Sequence, residues 1–533
     1  MSNEQELLLA GPGTGKTTYI KNLLKDYDFT ENILILSFTR ATIRDLLKNF
    51  KENSIDITPK QCMTVHQLAF KINPKKNLYI LDEKEDSILN SVSKKLNIEF
   101  GYLCKILQCE TFNQMIENSI NIIKNNPVYI QDELGILDLL IIDEYQDLNE
   151  NDREFVSLLF PLCKKILVLG DDDQSIYEFR DASNKGIISI YNDTNFTKIP
   201  YDNICHRCPG NVVDCCNSLI SHNKDRIDKY MQKERENGTL IKKQFLTQQE
   251  TAIWIVNEIN KIKKVAENQH DSIMILSPVK VATSKLVSEL DKRNIKYSNL
   301  YSKKTSLELE QQIWEISSIY LKNNLVPCIC SILTDNNSTK KESFIKAFNQ
   351  QLKTNTEYEE MQHIVYPFLK ARVIKAIRDG TDINLYITDT KLSKLEEILE
   401  EKDPEEEIFT YLRERRSQES LFNEQGINIM SIHKSKGLSA DHVFILGLVD
   451  GFLPNKSKNL QSIEEQRRIL YVGMSRAKKS LYLISTLEWT YSQIKKGDES
   501  VFKWKSKNCL HGLASPFLSE LENTVNYKEK DEK

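Results

Sequence analysis

One stretch constrains this chain more than any other: Ala10-Gly11-Pro12-Gly13-Thr14-Gly15-Lys16-Thr17. Leu7-Leu8-Leu9 ahead of it forms a short apolar run, and Tyr19, Ile20, Leu23 and Leu24 behind it recur at helical spacing. Strand, glycine-rich loop and helix in that order are the setting in which such a loop binds phosphate. Glycines let backbone N–H groups turn inward on an anion where a side chain would collide. The helix that follows presents its positive end to the same anion. On this reading Lys16 reaches the β- and γ-phosphates of a nucleoside triphosphate, and the Thr17 hydroxyl holds Mg²⁺. The bland alternative is an ordinary glycine turn before a helix; Gly-Lys-Thr with both flanks in place argues against it.

Composition limits what the nucleotide can serve. The 533 residues are enough for several domains, with 40% hydrophobic and 28% charged content as in a globular protein. The net charge of −4 supplies no global attraction to nucleic acid, so any such binding needs a local groove. No apolar run is long enough to span a bilayer and the first residues do not read as a signal peptide, so the expectation is a cytosolic protein with no membrane partner. The 11 cysteines lack framework spacing, which favours reduced thiols. Cys205-His206-Arg207-Cys208 has zinc-like spacing, but Cys215 and Cys216 do not close a matching site, so small buried hydrophobes are expected there.

Along the chain, strands and helices alternate, which argues for parallel, doubly wound sheets. Ile33-Leu34-Ile35-Leu36 reads as a strand that ends in Ser37-Phe38-Thr39-Arg40. Ligand contacts in such sheets fall at the carboxyl ends of strands. There Phe38 suits either base stacking or the core, and Thr39 and Arg40 suit a phosphate. Thr64-Val65-His66-Gln67 follows another strand-like piece and is placed to touch a sugar-phosphate backbone. Leu139-Leu140-Ile141-Ile142 ends in Asp143-Glu144-Tyr145-Gln146-Asp147. Asp143 suits holding Mg²⁺ through water, and Glu144 suits orienting and deprotonating an attacking water. Ile166-Leu167-Val168-Leu169 leads into Gly170–Arg180, where the neutral amide of Gln174 can sense a γ-phosphate. Tyr177 and Phe179 in the same loop are available to stack bases.

A second strand-and-helix series follows. Ile273–Leu276, Ile427–Met430 and Val443–Leu446 read as buried strands, with the polar loop Ser431–Leu438 between the last two. In Glu464–Ala477, Leu470, Met474 and Ala477 share a face at helical spacing, with Arg476 near the end. Residues 71–135 and 303–424 break the alternation and read as mainly helical insertions. The second carries an acidic run, Glu396–Glu407, that reads as a solvated face.

These pieces in this order resemble the UvrD/Rep family of superfamily-one DNA helicases. The likeness runs from Leu7 to about Leu521, with gaps in the two insertions. It is most specific at Asp143–Asp147, Gly170–Arg180, His433–Leu438 and Tyr471–Ala477, and Ser515–Leu521 resembles the end of that family's motor core. The resemblance implies an α/β fold of two RecA-like parallel-sheet motor domains, each with a mainly helical insertion. The expected boundaries are 1–70 with 136–200 for the first domain and 71–135 for its insertion. The second domain takes 201–302 with 425–522, its insertion 303–424, and 523–533 forms a disordered tail. ATP and Mg²⁺ would lie in the cleft between the domains. Arg207 and Arg476 would meet the γ-phosphate, with Glu144 and Gln174 completing the catalytic set. Ala10, Gly11, Pro12, Gly13, Thr14, Gly15, Lys16, Thr17, Thr18 and Gly437 would contact the nucleotide, and Thr17 and Asp143 the metal. Single-stranded DNA, or DNA with a 3′ tail, would cross Phe38, Thr39, Arg40, His66, Tyr177, Phe179 and Arg180 as the motor moves 3′ to 5′.

Departures from the family pattern cluster at the base and sugar. Only nine residues precede Ala10, where the family has a glutamine-bearing segment that helps read adenine. Thr18 stands for a common arginine, His206 for a base-facing tyrosine and Ser439 for a glutamate near the ribose. Both insertions read as shorter than in larger members, and no tail domain is expected. Two functions fit: a translocase that separates duplex DNA, and a nucleotide-gated sensor of DNA ends that controls a partner nuclease. The second is the role considered for the helicase partner of the Gabija antiphage system. No nuclease constellation is visible in this chain.

Overall fold

The computed structural model describes residues 3–25, 27, 32–73, 78–178, 182–301, 324–334, 338–352, 422–423, 425–455, 460–490, 504–505 and 509–521. Continuous apolar runs become strands covered on both faces. All five residues of Ile33–Ser37 are buried, as are all five of Ile273–Ser277. The first six-stranded sheet has the order Cys62–Thr64, Ile33–Ser37, Leu137–Ile142, Cys163–Gly170, Glu4–Leu9, Thr197–Lys198. The second has the order Thr239–Phe245, Ala477–Thr486, Ala440–Ile445, Ile273–Ser277, Ile427–Ser431, Ser298–Asn299. Every pairing within both sheets is parallel. These are the parallel sheets that the alternation implies, and their number fits the two RecA-like domains that the resemblance implies.

Helices cover the sheets with one apolar stripe each. Arg40–Glu52 buries Ile43, Leu46 and Phe50, which join Leu8, Ile20 and Ile35 in the first core. Gln248–Lys264 packs Ala252, Ile255, Val256 and Ile259 on one face of the second sheet. Gly210–Ile220 and Leu460–Met474 pack Val212, Val213, Leu470 and Met474 on its other face.

Helical spacing from Glu464 on suggests a helix that reaches Ala477, but the helix stops at Met474. The Arg476 N–H closes the last turn on the Gly473 carbonyl at 3.3 Å, while the Arg476 carbonyl accepts from the Ala440 N–H at 3.0 Å. Ala477 is therefore already the first residue of a strand, paired with Ala440. Arg476 sits at the joint between the two elements.

Compactness divides the chain into two units. One holds Met1–Leu68, Asn126–Ser302 and Leu421–Lys533, and so both sheets. The other holds Ala69–Asn125 and Lys303–Ser420. The two stretches that break the strand–helix alternation thus group as one body. Within it Asn324 donates to the Leu107 carbonyl at 3.1 Å, and Val326–Leu333 packs on Glu83–Leu96. The helix Pro127–Leu134 groups with the sheets instead. The acidic run Glu396–Glu407 and the tail from 523 lie outside the described residues. Among the described residues no helix is long and apolar enough to cross a membrane.

Candidate functional site

The glycine loop leaves the end of Glu4–Leu9 and enters the helix Lys16–Leu24. Gly13 and Gly15 have φ of +73° and +97°, a region that side chains disfavour. A Cβ on Gly13 would lie 2.5 Å from the Arg207 Cβ, so the glycine also admits that arginine's close approach. The Thr14 hydroxyl donates to the Gly11 carbonyl at 2.8 Å, and the Gly11 N–H donates to Asn203 Oδ1 at 2.9 Å. The His206 N–H reaches the Gly13 carbonyl at 3.0 Å, and the Tyr201 hydroxyl donates to the Thr14 carbonyl. Gly15 caps the helix without a side-chain bond, which leaves the first-turn N–H groups to a ligand. Lys16 Nζ donates to the Ala10 carbonyl at 3.0 Å and lies 3.7 Å from Glu144 Oε1.

Loop and acids face one cavity of about 570 Å³. Its walls include Gly11, Pro12, Gly13, Gly15, Lys16, Thr17, Thr18, Asp143, Glu144, Gln174, Arg207, Gly437 and Arg476. Ala10 and Thr14 are fully buried and brace the loop through the bonds just given. Gly437, at φ +84°, leaves open the space a Cβ would fill.

The acids sit where Leu137–Ile142 ends. Glu144 takes a left-handed backbone, φ +55° and ψ +42°, which costs a non-glycine residue about 1–3 kcal/mol. Burial and the adjacent Glu144 charge push the Asp143 carboxyl up to about 7. A buried carboxyl displaced in that direction suits a cation, which would restore its charge. Burial works against the Glu144 carboxylate too, but Lys16, Lys436, the Gln146 amide and Arg476 outweigh it and hold it at about 2. Gln146 Nε2 donates to Glu144 Oε2 at 2.5 Å.

Gln174 lies between groups from both sheets. Its Nε2 donates to Asp171 Oδ2 at 2.7 Å, and its Oε1 accepts from Arg476 Nη2 at 3.2 Å. Arg476 is 2% exposed; burial and the nearby Arg207 bring it down to about 10. Arg207 Nη1 donates to the Ser475 carbonyl at 3.3 Å.

Lys436 is a residue that the sequence reading passed over. Its Nζ lies 2.6 Å from Asp147 Oδ1, 3.5 Å from Glu144 Oε2 and 2.7 Å from the Gln174 carbonyl. The same ammonium stands 5.4 Å from the centre of the Tyr177 ring. Its signal was its place beside Gly437 in a polar loop between two strands.

Phe38, His66 and Tyr177 come together as one aromatic cluster. The Phe38 ring centre is 5.7 Å from Tyr177 and 6.0 Å from His66. Phe38 is only 8% exposed, packed against the other two rings, which favours the core of the two uses its strand-end position leaves open. His66 Nε2 lies 3.6 Å from Asp152 Oδ1. Thr39 accepts from the Thr42 N–H at 3.1 Å as the cap of Arg40–Glu52, and it lines the cavity of the glycine loop. Arg40 opens that helix, while Phe179 and Arg180 lie outside the described residues. Cys205, Cys208, Cys215 and Cys216 are all buried and stand outside any disulfide. Among the described residues the cluster with metal-like geometry is Asp171, Asp172 and Asp173.

A glycine loop with lysine, paired acids, a glutamine and arginines at the ends of two parallel sheets define a nucleotide-cleft motor of RecA-like build. Comparison with known proteins narrows the class. The UvrD-like helicase C-terminal domain matches residues 203–305 and 299–488, and an AAA domain matches residues 1–180. The chain is 24% identical over 635 aligned positions to the ATP-dependent DNA helicase Rep of Buchnera aphidicola subsp. Acyrthosiphon pisum, covering 93% of this chain and 94% of the relative. It is 24% identical over 592 positions to the ATP-dependent DNA helicase PcrA of Staphylococcus epidermidis, covering 90% and 80%. The chain belongs to the UvrD/Rep family of superfamily-one DNA helicases.

Proposed function

We propose that this chain is an ATP-dependent DNA helicase that moves 3′ to 5′ along single-stranded DNA. One observation carries the reading: Lys436 bridges the acids of the nucleotide cavity and the Tyr177 ring of the aromatic cluster. A group that touches both can report the state of one to the other. In this account the loop amides and Lys16 hold the triphosphate, and Glu144, ionised across the physiological range, takes a proton from the attacking water. Gln174 and the arginines Arg207 and Arg476 meet charge that develops on the γ-phosphate. Thr17 and Asp143 would hold Mg²⁺, which supplies neutralisation of the phosphate oxygens. Among the described residues Phe38, His66, Tyr177, Thr39 and Arg40 are the ones that would meet DNA; the resemblance adds Phe179 and Arg180, which lie outside the described residues. Release of the γ-phosphate removes the anion that Gln174 and Arg476 would share and lets one sheet shift along the strand.

The test is ATP turnover with and without single-stranded DNA, and strand separation on duplexes that are blunt, 3′-tailed or 5′-tailed. Stimulation by single strands and opening of the 3′-tailed duplex alone are expected. Turnover indifferent to DNA would overturn the reading. DNA-stimulated turnover without opening of any duplex would move the chain to the role of a nucleotide-gated sensor of DNA ends.

A further inference from the structure

Asp171, Asp172 and Asp173 follow the end of Cys163–Gly170, are all at most 1% exposed, and bring carboxylate oxygens within 4.8 Å of one another. Three such charges without a counter-charge would not stay ionised in a buried place. Lys229 occupies the nest they form. Its Nζ lies 3.0 Å from Asp171 Oδ1 and 2.6 Å from Asp173 Oδ2, and it donates to Asp172 as well. Arg226 clasps Asp173 with two bonds, Nε to Oδ1 at 3.0 Å and Nη2 to Oδ2 at 2.8 Å. The Ile227 N–H donates to Asp172 Oδ2 at 2.8 Å. Burial opposes the Lys229 charge, but the three carboxylates outweigh it and hold its pKa above the ordinary lysine value.

The segment that carries Arg226 and Lys229 is itself held by the helix Leu460–Met474. Glu464 accepts from the Lys224 N–H at 2.8 Å and from the Asp225 N–H at 3.2 Å, and its carbonyl accepts from Asn223 Nδ2 at 3.0 Å. Arg468 donates to the Asp225 carbonyl at 2.6 Å. Just past the other end of that helix, Arg476 grips the oxygen of Gln174. The nitrogen of Gln174 is held by Asp171, and Asp171 by Lys229. One helix therefore reaches Gln174 by two routes, directly through Arg476 and indirectly through Lys229 and Asp171.

We infer that Lys229 is a positioning residue for catalysis: its ammonium fixes Asp171, and Asp171 fixes which end of the Gln174 amide faces Arg476. An amide has a donor end and an acceptor end, and an ionised carboxylate accepts only from the donor end. With the ammonium gone, the three acids must turn apart or take up a proton. A turned or protonated Asp171 no longer sets the amide. The inference rests on the reading of Gln174 as the group that meets the γ-phosphate.

The experiment uses the full chain with saturating single-stranded DNA and MgATP, and compares Lys229→Met, Lys229→Arg, Asp171→Asn and Gln174→Ala. Lys229→Met should lower kcat by about 10- to 100-fold, the scale of a displaced catalytic group, with KM for ATP within about twofold. Lys229→Arg should recover most of the loss. Asp171→Asn should match Lys229→Met, and the double variant should be no worse than either, because both act through one amide. Thermal melting controls for folding; if Lys229→Met does not fold, Lys229→Met with Asp172→Asn removes one charge of each sign and should show the same kcat loss. A kcat within about twofold of the wild type in the folded variant, alongside a large loss in Gln174→Ala, would leave Lys229 a structural ion pair and overturn the inference. Unimpaired turnover in Gln174→Ala would instead overturn the reading of Gln174 itself.

Discussion

Two regions of the nucleotide cavity are built differently. At the phosphate end Lys16, Glu144, Gln174, Lys436 and Arg476 form a mesh of contacts between 2.5 and 3.7 Å, reached through bonds from both sheets. Beside the glycine loop, by contrast, His206 and Glu234 pair at 2.6 Å with 52% and 54% of their side chains exposed. Buried groups fixed by several partners cannot move without breaking something, whereas an exposed pair rearranges at little cost. On the proposed reading, chemistry is over-determined where phosphate would sit, and the residue that would face the base is held loosely.

The largest effects should come from breaking the tight end. Arg476→Ala removes a buried cation that binds Gln174 directly, and turnover should fall by about a thousand-fold or more, with ATP binding less affected. Arg207→Ala should act in the same direction. Steady-state kinetics beside nucleotide titration separates the two quantities, and unchanged kcat in either variant would remove that arginine from the γ-phosphate. Glu144→Gln should cost about a hundred- to ten-thousand-fold in turnover while nucleotide still binds. Because its neighbours hold the Glu144 carboxylate at about 2, the base stays available as pH falls. An acid limb in kcat that appears between pH 6 and 8 and vanishes in Glu144→Gln would contradict that placement.

The tight end was also the legible end. Gly13, Gly15, Lys16, Asp143 and Glu144 declare themselves because glycine spacing and acids at a strand end have few other uses, and apolar runs marked the inner strands of both sheets to within a few residues, but not Thr239–Phe245 or Ala477–Thr486. What stayed hidden depends on contacts far apart in the sequence. Nothing local marks Lys229, 57 positions after Asp172, as the cation of its nest. Lys436 lies 289 positions after Asp147, its partner. Phe38 was ambiguous because its burial is decided by His66 and Tyr177. The grouping of Ala69–Asn125 with Lys303–Ser420 into one body also cannot be read from either stretch alone.

The aromatic cluster allows a finer comparison, between a covered ring and its covers. Tyr177→Ala should weaken single-strand binding by about 1–3 kcal/mol, the value of one stacked base, and by a similar amount on different sequences. Phe38→Ala should show the opposite balance, a smaller loss of DNA affinity and a larger drop in melting temperature, since Phe38 is packed beneath its neighbours. Fluorescence anisotropy and thermal melting on both variants decide this. Equal affinity losses with unchanged melting would put Phe38 back among the stacking residues.

The smallest expected effect tests the loose end. Base selection needs polar groups that match the edge of one base and lose their partners with another. The residues that would meet triphosphate, Lys16, Gln174, Arg207 and Arg476, contact nothing that distinguishes bases. Where the resemblance would put the base, Thr18 cannot stack as an arginine would, and His206 offers a small ring whose nitrogen is already engaged by Glu234. Both partners of that pair are half exposed, so water can replace whatever hydrogen bond a wrong base fails to make, and the penalty for mismatch shrinks. GTP and dATP should therefore support DNA-stimulated turnover within about tenfold of ATP, or about 1.4 kcal/mol. His206→Tyr supplies a larger stacking face and should move the ratio towards ATP, while Arg476→Ala should lower turnover with all nucleotides alike. The comparison of kcat/KM across ATP, dATP, GTP and CTP carries the test, and a strong preference for ATP in the unaltered protein would mean that the exposed end of the cavity reads the base after all.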